Sequence, residues 1–292
     1  MKVAVFGKTF KPEVSKYILK LFETLERNNL EVLIYEPFYN FLSKSVKLNL
    51  FFGTYNSYED LKLNFDFFIS VGGDGTILDA TTFVRDIGIP IIGVNTGRLG
   101  FLADTAKEDI DNTIKQIINN QYRLDERTLL NLNTDYKIFD DINFALNEVT
   151  ISRKDTTSMI TITTYINNQL LNSYWADGLI ISTPTGSTGY SLSCGGPIVM
   201  PGSNNFIITP IAPHNLNVRP LVISDEYEIK IKVEGRSKNF LVALDSRIRT
   251  FKSDTELKIK KEKFKIKMIE TFTQDFSSTL RNKLLWGLDK RN

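Results

Sequence analysis

The chain has 292 residues and carries 36 Lys and Arg against 34 Asp and Glu, a formal net charge of +2. That length suits two domains rather than one small core, and so even a charge balance gives no reason to expect nucleic acid or an anionic membrane as a partner. A single cysteine, Cys194, and a single histidine, His214, exclude an intrachain disulfide and the usual Cys/His zinc sets. A Ser-His-Asp triad would have to use His214. The N-terminus, MKVAVFGKTF, lacks the apolar core of a signal peptide, and no stretch approaches the length of a membrane span. A cytoplasmic, reducing setting is the expectation.

In chain order, Val3–Phe6 is a short apolar run fit for a buried strand. Pro12 suits the first turn of a helix, and Val14, Tyr17, Ile18, Leu21, Phe22 and Leu25 follow at helical spacing until Asn28 and Asn29 end it. Glu31–Tyr35, Phe65–Val71 and Pro90–Val94 read as further strands, the last two joined by a helix from about Thr76 to Asp86. Strands joined by helices imply a parallel sheet covered on both faces. From about Gln121 the texture changes to short runs rich in Ile, Thr, Val and Tyr, such as Asn147–Ser152, Met159–Ile166, Glu228–Val233 and Phe240–Leu244, which predict a mainly β domain. In Lys258–Lys267 lysines alternate with apolar residues, so the run is read as a strand with one solvated face and not as a nucleic-acid patch. The tail regains helical spacing over Phe276–Leu288 and is expected to pack back on the first domain.

The sharpest local signal is Phe67-Phe68-Ile69-Ser70-Val71-Gly72-Gly73-Asp74-Gly75-Thr76. An apolar strand runs into three glycines, an aspartate and a threonine, and a helix follows. The carboxyl end of a parallel strand is where ligands bind, glycines let a ligand approach the backbone, and a helix N-terminus favours phosphate. Asp74 is out of place there unless it binds a metal or takes a proton from a nucleophile, because a carboxylate repels phosphate. The plainer alternative is a tight turn in which Asp74 caps the helix. Gly7-Lys8-Thr9 resembles the end of a P-loop, but Lys2 stands where the required glycine belongs, and no GxGxxG fingerprint follows an early strand.

Three further segments draw attention. Asn95-Thr96-Gly97-Arg98-Leu99-Gly100-Phe101-Leu102 follows a predicted strand and should lie beside the first loop; by itself Phe101 is read as core. Leu146-Asn147-Glu148-Val149 puts a polar pair inside an apolar strand, and these side chains need partners from the protein or from a ligand. The run Asp177 to Gly196 is dominated by glycines and hydroxyl residues after a short apolar strand. Such a run offers N–H and O–H donors suited to phosphates and ribose.

Together the four segments resemble the NAD kinase family, over about Phe67 to Pro220. The glycine-aspartate-glycine loop alone also occurs in lipid kinases and phosphofructokinases; the Asn-Glu pair and the DG…TPTGST…GGP run make the likeness specific. The resemblance implies a Rossmann-like N-terminal α/β domain with a parallel sheet (1–125 plus 272–292) and a C-terminal mainly β domain (126–271), with a C-terminal helix returning to the first domain. It implies transfer of the terminal phosphoryl group of ATP to the 2′-hydroxyl of the adenosine ribose of NAD, with Mg²⁺ or another divalent cation. By position, Asp74 would be the general base and Gly72, Gly73, Gly75 and Thr76 would shape the phosphate loop. Asp74 and Gly75 would also touch NAD, and Phe101 the adenine. Asn147 and Glu148 would hold the nucleotide, Glu148 through ribose hydroxyls, and Asp177 would reach the amide of the second half. Thr188, Tyr190 and Ser193 would line the adenosine pocket, with Thr185 and Gly189 among the NAD contacts. Pro213-His214 and Arg219-Pro220 also match, with His214 read as structural. Gly189 replaces the usual alanine, and Asp245-Ser246-Arg247 stands where Asp-Gly is frequent. A homodimer or homotetramer is implied, with neither nucleic acid nor membrane as partner. A lipid kinase and a non-catalytic NAD(H) sensor are the competing readings; the first would want an apolar lipid pocket or a membrane-facing patch, and the sequence shows no basic amphipathic helix to supply one.

Overall fold

The computed structural model describes residues 1–46, 52–97, 100–103, 105–154, 158–272 and 275–285. The chain divides into two compact units, Met1–Glu126 with Ile266–Asn292, and Arg127–Lys265.

In the first unit, β1 (Lys2–Gly7) extends the predicted run by a residue at each end. After one 3-10 turn at Pro12–Val14, α1 (Ser15–Arg27) buries Ile18, Leu21, Phe22 and Leu25, the predicted stripe. β2 (Glu31–Tyr35) is followed at once by α2 (Glu36–Ser45), which the sequence reading lacks; Pro37 sits in its first turn, where the missing N–H costs nothing. Then come β3 (Gly53–Tyr55), β4 (Phe67–Gly72), α3 (Asp74–Val84), β5 (Ile91–Asn95), the two-residue β6 (Thr105–Ala106) and α4 (Ile110–Ile118). The strands lie parallel in the order β5-β4-β1-β2-β3. Side chains alternate across β1: Val3 and Val5 join a cluster with Ile18, Leu21 and Phe22 of α1 and Ile114 of α4, while Phe6 packs on Phe68 and on Phe83 of α3. That two-sided burial explains why these strands are apolar throughout. From β1 the chain moves outward through β2 and β3 on one side and β4 and β5 on the other. The order therefore reverses between β1 and β4, and ligands bind at such a switch point, outside the carboxyl ends of the strands.

The second unit is an antiparallel sandwich. Entering along β7 (Tyr122–Asn133), the chain adds β8 (Phe144–Ala145), β9 (Glu148–Arg153), β10 (Ile160–Ile166), β11 (Gln169–Ala176) and β12 (Gly178–Ser182). A helical turn, α5 (Tyr190–Ser193), precedes β13 (Asn205–Ile211), β14 (Leu221–Ser224), β15 (Ile229–Glu234), β16 (Asn239–Leu244), β17 (Arg247–Lys252) and β18 (Leu257–Thr271). One sheet runs β14-β13-β12-β9-β16-β17; β11, β10, β15 and the start of β18 pair in the other. Their inner faces form one core, including Val149, Ile151, Ile181, Ile208 and Val242 from the first sheet and Ile162, Ile231 and Ile259 from the second. The β10–β11 hairpin turns at Asn167-Asn168, both left-handed at φ 48° and 68°.

The lysine-rich run lies in β18 as expected: Leu257, Ile259 and Ile266 are buried while Lys260, Lys263 and Lys265 are exposed. Its charges are matched locally, Lys258 by Glu256, Lys260 by Glu228 and Lys261 by Asp225. Farther along β18, Met268 pairs with Ile91 of β5 in the first unit. The closing helix, α6 (Phe276–Leu284), begins with a capping box between Asp275 and Ser278. It stops short of the predicted end because Leu285 takes the left-handed conformation, φ 57°; Leu288 lies outside the described residues.

Candidate active site

In the first unit, the carboxyl end of β4 at the switch point leads directly into α3. The helix begins at Asp74, two residues before the predicted Thr76, with Gly73 as its N-cap. Asp74 does not cap it. Its carboxylate turns to the segment after β5, where Oδ2 accepts the Phe101 N–H at 2.9 Å and Oδ1 accepts those of Leu102 and Ala103 at 3.0 Å. Three consecutive amides therefore fix the carboxylate, and Oδ2, with one donor, keeps lone-pair capacity for another. Asn95 ties the same segment at both ends: its amide donates to the Ala103 carbonyl at 3.2 Å and its oxygen accepts the Gly97 N–H at 2.7 Å. Thr96 N–H reaches the Gly72 carbonyl, so the two predicted loops lie side by side.

The glycines divide by role. A Cβ on Gly72 would collide with the Thr76 side chain, and one on Gly100 would fall on the Asp74 carboxylate. Gly73 and Gly75 are exposed and have open space where a side chain would be, which leaves their backbone approachable. Gly100→Ala should therefore dislodge a chemically intact Asp74; we expect kcat of the folded variant to fall by up to about 10²-fold, the cost that a displacement of about 1 Å can carry. Circular dichroism alongside steady-state rates checks this.

Phe101 is half-buried. Its ring centroid lies 6.2 Å from that of Phe276 in α6, and the Lys283 ammonium stands 5.0 Å from it. The returning helix thus packs on the residue expected at the adenine.

In the second unit, the Asn-Glu pair and the hydroxyl-rich run meet. Thr183 donates to the Leu146 carbonyl at 2.6 Å through its hydroxyl, and its N–H bonds the Asn147 carbonyl at 2.9 Å. Gly186 lies so close to the Asn147 backbone that a Cβ would strike it. Several hydroxyls are spent inside the loop: Ser187 on the Pro184 carbonyl, Thr188 on the Thr185 carbonyl, and Ser191 with Thr209. Thr185 accepts from Arg127 at 3.3 Å. Ser193 and Tyr190 are exposed, and Asp177 is ion-paired with Arg153 at 3.0 Å. His214 packs against Trp175, centroids 4.3 Å apart and the rings tilted by 47°.

Asn147 Oδ1 and Glu148 Oε2 are buried without any hydrogen-bond partner. Orphaned buried acceptors are costly, so a guest bearing O–H or N–H donors is what they fit. Burial, the nearby Asp245 carboxylate and, against them, the Tyr190 N–H push the Glu148 carboxyl up to about 8. A Cβ at Gly189 would stand 3.1 Å from Glu148 Oε2, so the missing methyl leaves room beside that oxygen.

The sequence reading missed what holds this pair. Asp245 is buried, and its carboxylate accepts the N–H groups of Leu146 (2.9 Å), Asn147 (2.8 Å) and Glu148 (3.1 Å). Burial raises its own carboxyl above the ordinary range, while those amides and Arg247 oppose the rise.

A glycine loop at the switch point of a parallel sheet, with orphaned buried acceptors in a following β unit, defines a two-domain nucleotide-binding protein. Comparison with known proteins is specific. The ATP-NAD kinase N-terminal domain matches residues 3–122 and the ATP-NAD kinase C-terminal domain residues 146–271. The chain is 56% identical to the NAD kinase of Flavobacterium psychrophilum and 46% identical to that of Bacteroides fragilis, over 100% of both chains in each case. Among solved structures, an Archaeoglobus fulgidus NAD kinase in complex with ATP superposes with a TM-score of 0.75 at 28% identity, covering 97% of each chain. Yeast NADH kinase complexed with NADH has the same fold, with a TM-score of 0.85 at 24% identity over 99% of this chain and 88% of that one. The chain belongs to the ATP-NAD kinase family.

Proposed function

We infer that the protein is an NAD kinase, which transfers the terminal phosphoryl group of ATP to the 2′-hydroxyl of the adenosine ribose of NAD and releases NADP and ADP. Family membership supports the reaction, and the observation that carries our reading of it is Asp74: a carboxylate at the switch point, held by three amides and free of any capping duty. The bond that forms joins the ribose 2′-oxygen to the γ-phosphorus; the bond that breaks joins that phosphorus to the β–γ bridging oxygen. Asp74 Oδ2 takes the hydroxyl proton, and Gly73 and Gly75 let the phosphates approach the backbone at the start of α3. Asn147 and Glu148 receive the donors of the nucleotide. Phe101 lies against the adenine, Asp177 reaches the amide of the second half, and Thr185, Thr188, Gly189, Tyr190 and Ser193 complete the adenosine pocket.

The donor set suits a Mg²⁺ ion that arrives on the triphosphate. Among the described residues no group of three or more His, Cys, Asp or Glu is built to hold a metal, and Mg²⁺ characteristically takes one or two carboxylates together with phosphate oxygens and waters. Asp74 Oδ2 is committed to the ribose hydroxyl, so phosphate oxygens and water would hold the ion, which would neutralise charge on the transferring group. No described helix is long and apolar enough to cross a membrane. The reading includes a cytoplasmic setting and a homo-oligomer, for which exposed Trp175, Leu216 and Val222 on the β unit offer apolar surface.

The test is NADP formation from NAD and MgATP, with NADH as alternative acceptor and other triphosphates and polyphosphate as alternative donors. Absence of 2′-phosphorylated product with every pair would overturn the reading.

A further inference from the structure

We propose that the turn Asp245-Ser246-Arg247 is a positioning clamp that sets the Asn147–Glu148 pair for the dinucleotide, with Asp245 acting on the backbone and not on the ligand. The inference rests on the reading above and assigns a new element to the same site.

β16 and β17 are joined by two residues, since Leu244 pairs with Arg247. So short a turn calls for a residue with positive φ, and Asp245 supplies it at φ 53°. Its side chain then points inward and gathers three consecutive amides, those of Leu146, Asn147 and Glu148. Its own N–H bonds the Glu148 carbonyl at 3.0 Å. Two residues on, Arg247 Nη1 donates to the Ile142 carbonyl at 2.6 Å and Nη2 to the Phe144 carbonyl. One turn thus holds the backbone from Ile142 to Glu148 through both its acid and its base. The residues it fixes are the ones whose side-chain oxygens are buried and unpartnered. A backbone held this firmly presents Asn147 Oδ1 and Glu148 Oε2 in one arrangement, which lowers the ordering cost when a ligand with matching donors binds. The frequent Asp-Gly pair would turn the chain as readily; Arg247 adds a second hold on the strand.

The clamp also bears on the charge of Glu148, because the Asp245 carboxylate repels it. Other groups facing Glu148 are the Tyr190 N–H, Asn147 and Cys194, and Arg247 faces Asp245.

The experiment compares the wild type with Asp245→Asn, which keeps the size of the side chain but replaces one acceptor oxygen with a donor. We expect KM for NAD to rise by about tenfold or more, kcat to stay within about threefold, and KM for ATP to hold, as suits a residue that positions ground-state binding groups. The pH midpoint of NAD binding should also move down; because loosening that admits water to Glu148 would lower it too, Arg247→Met, which loosens the same segment but keeps the Asp245 carboxylate, is the control. Arg247→Met should raise KM for NAD by a smaller factor and leave that midpoint nearer the wild-type value; if Asp245→Asn fails to fold, the rise in KM for NAD in Arg247→Met carries the test, and a wild-type KM there would overturn the clamp. A folded Asp245→Asn with wild-type KM and midpoint would overturn the clamp. A wild type that makes no NADP would instead overturn the proposed reaction, so the two failures are distinguishable.

Discussion

Asp74→Asn is expected to lower kcat by about 10²- to 10⁴-fold, the range that a positioned general base supplies, or roughly 3–5 kcal/mol of barrier. The amide side chain is nearly the same size and cannot accept the proton. The geometry also says where the substitution hurts binding. Asn oxygen facing Leu102 and Ala103 keeps two of the three bonds, and the Asn NH₂ then meets the Phe101 N–H donor against donor. One lost bond should loosen Phe101 and raise KM for NAD by less than about tenfold, on the order of 1 kcal/mol. The signature is therefore a large fall in kcat with a small change in NAD affinity, measured by steady-state rates and by calorimetry on the same preparation. An Asp74→Asn enzyme with near-wild-type kcat would remove Asp74 from the chemistry and leave it as a loop anchor.

What the sequence disclosed and what it withheld follow from the range of the interactions. The strands of the first unit were legible because burial on both faces makes them apolar throughout, and the loop after β4 was legible because glycines and one acid broke that pattern. The start of α3 was misread by two residues: glycine is a poor helix former in the interior, yet Gly75 sits in the first turn, where little is asked of it. Asn147 and Glu148 stood out as polar residues in an apolar run, but which of their atoms lack partners is a fact of packing. The anchoring of Asp74 by amides 27 to 29 residues away, and of Leu146, Asn147 and Glu148 by Asp245 from 97 to 99 residues away, involves backbone donors that every sequence has. No pattern of side chains could reveal them. The turn at Asp245-Ser246-Arg247 could be seen only as a departure from Asp-Gly, with no indication that its acid and base both face inward.

Affinity for NAD is expected to rise steeply with pH between 6 and 8. Glu148 Oε2 is an orphaned acceptor, and ribose hydroxyls are donors, so the ionised carboxylate is the form that suits the ligand. In the free protein burial and Asp245 hold this carboxyl up at about 8, so at pH 6 only about 1% of molecules carry the charge, against about half at pH 8. Binding only to the ionised form divides affinity by that fraction, so Kd should be about 50-fold weaker at pH 6 than at pH 8, with one proton released per NAD bound at the lower pH. Calorimetry in two buffers of different ionisation enthalpy measures the proton directly. Glu148→Gln should flatten the profile. Stability gives the opposite trend: the folded value lies above the ordinary 4.5, so folding favours the protonated acid. Its contribution is complete below about 4.5 and is lost as pH rises through about 8, which Glu148→Gln should prevent. Binding strengthens over the pH range in which the empty site becomes less stable, because the charge that burial penalises is the one the nucleotide's donors satisfy. A Kd that stays level from pH 6 to 8, with no proton released, would mean that Glu148 binds as the neutral acid and donates to the nucleotide instead of accepting from it.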